Sequence, residues 1–168
     1  MLSDYDIIKR VPGHVQMKYF RGLKSLKEVD QRYKRIQQGK KSKTNDPKAY
    51  RPFRTDKNKK VRESKYTKAF FNKFPDAKSL KEKAKVTGVP FAILKNVYDR
   101  GLSAWRTGHR PGASQHAWGY ARVHSFLMKG CTYYTADADL VEKSMAKMSP
   151  IHKRRWTLRK KMCDNTKR

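Results

Sequence analysis

Between residues 25 and 38 of this chain, Leu26, Val29, Tyr33 and Ile36 recur at three- and four-residue steps, one apolar stripe that predicts an amphipathic helix. Ser25 followed by Glu28 has the form of a capping box, and Gly39 reads as the stop. Lys24, Lys27, Arg32, Lys34 and Arg35 occupy the rest of the circumference. The same periodicity predicts helices over 67–74, 79–87, 90–105, 114–129 and 135–148. In the last of these Thr135 is the expected cap, with Asp137 and Asp139 in the first turn, where carboxylates favour the helix dipole. No stretch sustains the strict alternation of a strand. The predicted class is all-α.

The most informative stretch is SLKEKAKVTGVPFAILKNVYDRG, residues 79–101. Ala84 is small where a second helix would cross, and Gly88 four residues later suits a left-handed turn. Val89 plugs the turn, and Pro90 opens the next helix, where its missing N–H costs nothing. Leu94 and Val97 would then face Leu80. This spacing predicts a helix-turn-helix-like corner. The second helix would expose Phe91, Ala92, Lys95, Asn96, Asp99 and Arg100. Lys95, Asn96 and Arg100 suit phosphates or base edges in a groove. Phe91 suits a protein pocket better, and a tight helical corner without DNA contact fits the same pattern.

Charge changes the picture most. Lys and Arg number 42 against 14 Asp and Glu, for a net charge of +28, and apolar residues are only 37% of the 168, below the roughly 45–50% of ordinary globular chains. Such an excess opposes compaction unless something negative neutralises it. It is densest in residues 39–68, net +9, and 149–168, net +7. The chain therefore divides into an N-terminal segment with one amphipathic helix (1–38), a long basic extended arm (39–68), a small helical domain (69–148) and a basic C-terminal tail (149–168). Tyr50, Phe53 and Trp156 are the candidate aromatic anchors of these arms. No apolar run is long enough to cross a membrane, and no secretory signal is expected. Cys131 and Cys163 lie outside any CxxC motif, so reduced thiols are expected rather than a disulfide framework or a zinc site.

Between the fourth and fifth of these helices, Gly108, Pro111 and Gly112 shape a loop crowded by Arg106, His109 and Arg110, and Ser114 opens the next helix. A basic, glycine-bearing loop at a helix N-terminus suits an anion, although the GxxxxGK[ST] spacing of a phosphate-binding loop is absent. The candidate polyanion or partner contacts are Lys95, Asn96, Arg100, Arg106, His109, Arg110, Lys153, Arg154 and Arg155. His109, His116 and His124 are seven and eight residues apart, with no carboxylate pair or cysteine beside them. Packing roles are expected for them rather than catalysis or metal binding. No catalytic residue, metal or cofactor is expected, and the chain reads as non-enzymatic.

The blocks SLKEKAKVTGVPFAILKNVYDRGLSAWRTGHRPGASQHAWGYARVHSFL and TYYTADADLVEKS, with YFRGLKSLKEVDQRYKRIQQGKKSK, YRPFRTDK and SKYTKAFFNKF upstream, resemble an uncharacterised domain family. It is encoded by large double-stranded DNA viruses of algae and amoebae, the giant viruses, and by some phages. The resemblance spans roughly residues 19–145. It implies viral origin and an α-helical domain and brings no catalytic residues. The leading expectation is a virion structural protein, such as a minor capsid protein, within a large assembly. Its arms would bind other virion proteins or an anionic surface, a membrane surface included, without spanning it. Nucleic acid is the alternative partner: a DNA-binding protein using the helix-turn-helix and the arms for genome condensation or regulation. Either would reside in the virion, and in the host cytoplasm or nucleus during assembly.

Overall fold

Helix follows helix along the chain, and among the described residues there is no strand. The computed structural model describes residues 2–12, 17–43, 46–51, 61, 63–107 and 113–163. The chain forms two compact units, Met1–Val61 with Ser103–Gln115, and Arg62–Leu102 with His116–Arg168.

The first unit begins with α1 (Asp4–Arg10), where Ser3 and Asp6 form a reciprocal capping box. A 3-10 turn at Met17–Tyr19 leads to α2 (Leu26–Lys41), and another 3-10 turn covers Pro47–Tyr50. Ile7, Val11, Phe20, Leu23, Val29 and Ile36 form the core, which is the stripe expected on α2 closed by residues ahead of it. Three details of α2 differ from expectation. Ser25 Oγ accepts from the Glu28 N–H, but Glu28 Oε2 accepts from the Lys24 N–H at 2.7 Å. Arg32 is buried, donating to the Tyr19 carbonyl at 3.0 Å. Gly39 does not stop the helix. It lies inside it, where a Cβ would sit 2.5 Å from the Arg106 carbonyl oxygen. Glycine serves close approach here, at some cost in helix propensity.

The second unit holds α3 (Lys65–Lys73), α4 (Leu80–Thr87), most of α5 (Phe91–Thr107), α6 (Gln115–Leu127), α7 (Cys131–Tyr134), α8 (Ala138–Lys147) and α9 (Pro150–Thr157). Ser79 and Glu82 close a capping box on α4. Gly88 ends it in the left-handed region, φ 75°, with its N–H on the Ala84 carbonyl at 2.8 Å. Val89 is buried, the Pro90 carbonyl accepts from Ile93 and Leu94, and Leu94 and Val97 are fully enclosed. The core is rich in large side chains, among them Phe70, Phe126, Leu127, Leu140 and Trp156. Each fully buried aliphatic or phenyl group contributes on the order of 1.5–3 kcal/mol.

Where an extended tail was expected, α9 forms and is fastened back. Trp156 is buried and donates from Nε1 to Tyr133 Oη at 2.9 Å. Arg159 Nη1 donates to the Leu127 carbonyl at 2.6 Å, and the N–H groups of Met162 and Cys163 both reach the Lys129 carbonyl at 3.1 Å. Cys131 and Cys163, expected as separate thiols, are joined in a disulfide across a sequence separation of 32. The fold turns residues 158–163 back onto the start of α7, which no local spacing reveals. Thr135 caps no helix N-terminus either. It closes α7, its Oγ1 on the Cys131 carbonyl, and Asp137 precedes α8.

Candidate polyanion-binding surface

The outer face of α5 is exposed at Phe91, Ala92, Lys95 and Asn96. Phe91 retains 42% of its accessible surface. Lys95 Nζ sits 2.8 Å from Asp99 Oδ2, one helical turn on, so half of the expected basic pair is offset by a carboxylate on the same face. Asn96 is exposed, with both amide functions available to a partner.

Arg100 is held elsewhere. Its guanidinium makes two parallel bonds to the Asp139 carboxylate, both 2.7 Å, and another to the Ala136 carbonyl at 2.8 Å. Asp137 lies beside it with its side chain fully buried, gripped by Arg122 through Nε at 3.0 Å and Nη2 at 2.8 Å. Hydrogen bonds from Arg100 hold the Asp139 carboxyl well below the usual carboxylate range. The two acids expected to serve the α8 dipole thus lock α5, α6 and α8 together. A guanidinium in a bidentate carboxylate pair is poorly placed to read a base edge or hold a phosphate.

The remaining candidates fall in different places. Arg106, at the end of α5 in the first unit, has Nε and Nη1 buried with no hydrogen-bond partner among the described residues. His109 and Arg110 lie outside the described residues, as does Phe53. Tyr50 closes the second 3-10 turn. Lys153 on α9 is half-buried, whereas Arg154 and Arg155 are exposed. Trp156, expected as an anchor on other subunits, is instead packed in its own unit, 5.9 Å from the Phe126 ring and under the Arg159 guanidinium at 5.0 Å.

Two of the buried polar side chains meet in the second unit: Lys83, which the sequence reading does not single out, and His124, for which a packing role is expected. Lys83 is completely buried on α4, its Nζ donating to the carbonyls of Ala77 and Lys78 at 2.5 and 2.6 Å. The rings of Phe70, Phe71 and Tyr120 surround the ammonium with centroids 5.1–5.2 Å away. Burial pushes the amine down to about 8. His124 stacks on Phe70 at 4.8 Å, and its Nδ1 shares a 3.0 Å bond with Thr67 Oγ1. Burial, reinforced by Lys83, brings its imidazole down to about 4. A signal for Lys83 exists: Leu80, Lys83, Ala84 and Thr87 share one helical stripe, with a lysine in the inward position. His116, on α6, meets the Tyr98 hydroxyl through Nδ1.

The described carboxylates largely serve the chain itself. Asp6, Glu28 and Glu82 work at helix starts. Asp4, Asp30, Glu63, Asp99, Asp137 and Asp139 are in ion pairs. Arg154 and Arg155 have no such pair among the described residues. Both of these arginines face solvent. Among the described residues no group of three or more His, Cys, Asp or Glu side chains is arranged to hold a metal ion. No curated protein and no solved structure matches the chain. Residues 16–143, most of the chain, match the family of unknown function DUF5824, and the chain belongs to that family.

Proposed function

We propose that the protein is a non-enzymatic, strongly basic structural component of a large assembly, whose cationic surface meets acidic neighbours or another anionic surface. The observation that carries this reading is the allocation of charge. A net +28 stands beside carboxylates engaged in caps and internal ion pairs, so neutralisation has to come from outside. In the viral setting that the sequence resemblance implies, such a component is a minor capsid or other virion protein. Phe91, exposed on α5, supports contact with protein rather than a groove.

The second reading, a DNA-binding protein, draws support from the α4–Gly88–α5 corner, whose geometry suits a helix-turn-helix, and from the exposed Lys95 and Asn96. Asp99 beside Lys95, and Arg100 bound to Asp139, weigh against it. The deciding experiment fractionates purified particles into emptied shells and released genome and quantifies the protein in each by mass spectrometry. A fixed copy number per shell is expected. Quantitative release with the genome, together with sequence-selective duplex binding by the isolated protein, would overturn the structural reading.

A further inference from the structure

We propose that the outer face of α9 is a docking surface for an anionic lipid headgroup layer. At about 100° per residue, Ile151, Arg154, Arg155 and Leu158 fall within one arc of about 100°, while His152 and Trp156 fall outside it, toward the core. Burial agrees. Trp156 is enclosed, whereas Ile151 is 57% and Leu158 75% exposed. Leu158, just past the last turn, keeps helical angles, φ −70° and ψ −12°, and so extends the same face. The face is thus two aliphatic side chains about 10 Å apart along the axis, with two guanidiniums between them that no described carboxylate neutralises. Tyr134, 43% exposed, carries the Lys161 ammonium 4.7 Å from its ring centroid, another amphipathic pair in the same unit.

This chemistry selects among anionic partners. A nucleic-acid backbone would satisfy Arg154 and Arg155 but leave Ile151 and Leu158 against charged phosphates. A protein groove would take the aliphatics, but it would have to seat two guanidiniums between its apolar pockets and desolvate them, at a cost that ion pairing recovers only with excellent geometry. At a lipid surface the same side chains separate by depth: aliphatics reach the acyl boundary while guanidiniums remain hydrated at the phosphate level. Tyrosine favours that boundary too. The mount is rigid, because Trp156, Arg159 and the Cys131–Cys163 disulfide fix both α9 and residues 158–163. Among the described residues no helix is long and apolar enough to cross a bilayer, so attachment by this face is peripheral.

The inference rests on the reading of the protein as a cation that works against an anionic partner, and the test separates the two. Full-length protein is sedimented with vesicles of phosphatidylcholine alone and of phosphatidylcholine with phosphatidylserine, and titrated in parallel with random duplex DNA and with polyglutamate. Of the two vesicle types, only those containing phosphatidylserine are expected to bind. Ile151→Ser with Leu158→Ser should weaken it roughly tenfold and leave duplex affinity within about twofold. Arg154→Gln and Arg155→Gln should each weaken vesicle binding roughly fivefold. All four positions are exposed, and urea melts verify that the variants remain folded. Vesicle binding indifferent to the paired serine substitutions overturns the proposal, and so does duplex binding without vesicle binding. Polyglutamate binding that the serine substitutions abolish, with vesicles ignored, overturns it in favour of a protein groove. Failure to bind vesicles, duplex and polyglutamate alike overturns the broader cationic reading as well.

Discussion

Gly88→Ala tests the α4–α5 corner, because two independent penalties meet at that residue. Its backbone sits at φ 75° and ψ 3°, a region that costs a residue with a Cβ roughly 1–2 kcal/mol. A Cβ built there would also fall on the His152 ring and its Cβ. His152 lies on α9, one turn before the buried Trp156, and is tied to Ser149 Oγ at 2.8 Å. Overpacking of this kind costs about 1–3 kcal/mol, so the substitution should destabilise by about 2–5 kcal/mol in all. Urea unfolding with the disulfide intact, monitored by far-UV circular dichroism, measures the total. A double-mutant cycle with His152→Ala separates its parts. Truncating the ring removes much of the collision but none of the backbone strain, so Gly88→Ala should cost at least ~1 kcal/mol less in that background. A cost below about 0.5 kcal/mol in the parent protein would refute the left-handed assignment. An equal cost in both backgrounds would refute the packing of α9 against the corner.

Other outcomes concern the buried polar groups and the charge. His124 is neutral in the folded protein, with its imidazole at about 4 against about 6.5 when unfolded. Its contribution is fully present above about pH 6.5 and is lost as pH falls toward 4, up to about 3 kcal/mol in urea melts; His124→Gln should flatten that limb, and an unaltered profile would count against the burial. Reducing the Cys131–Cys163 disulfide, with its separation of 32 residues, should cost about 3–4 kcal/mol, and a Cys131→Ser, Cys163→Ser protein should show no response to reductant. Added salt should raise the urea midpoint of the free protein by screening self-repulsion, while polyanion affinity falls steeply with salt; a flat response in either measurement would contradict the charge argument.

Local pattern reveals the all-α class and several of its helices. The α2 stripe and the Gly88 turn are each legible because their causes lie within a few residues of one another. The illegible features are non-local. Nothing near Cys131 indicates that the chain returns at Cys163. Arg100 reads as a solvent-facing cation because its acids, Asp137 and Asp139, lie at the start of another helix. Gly39 misleads because a glycine near a helix end usually marks its C-cap. Here it marks the place where the Arg106 backbone needs room. Counting charges by segment describes 149–168 as a tail, but Trp156, Arg159, two backbone bonds to Lys129 and the Cys131–Cys163 disulfide fasten residues 150–163.

The placement of the carboxylates explains how so basic a chain folds at all. Exposed ion pairs such as Arg10–Asp30 and Lys68–Glu63 contribute roughly 0–1 kcal/mol each, too little to offset a large net repulsion. The acids that matter are those in structural positions: Glu82 capping α4, and Asp137 binding Arg122 where neither is free to leave. Cohesion in the second unit comes from aromatic burial and a covalent link, both insensitive to charge. The positive surface is then tolerated rather than neutralised, and it remains available for association. A ligand that binds only the folded form adds RT ln(1 + [L]/Kd) to stability, so an anionic partner that occupies this surface also relieves the repulsion opposing the fold. Under the proposed function, folding and association are coupled through the same cations.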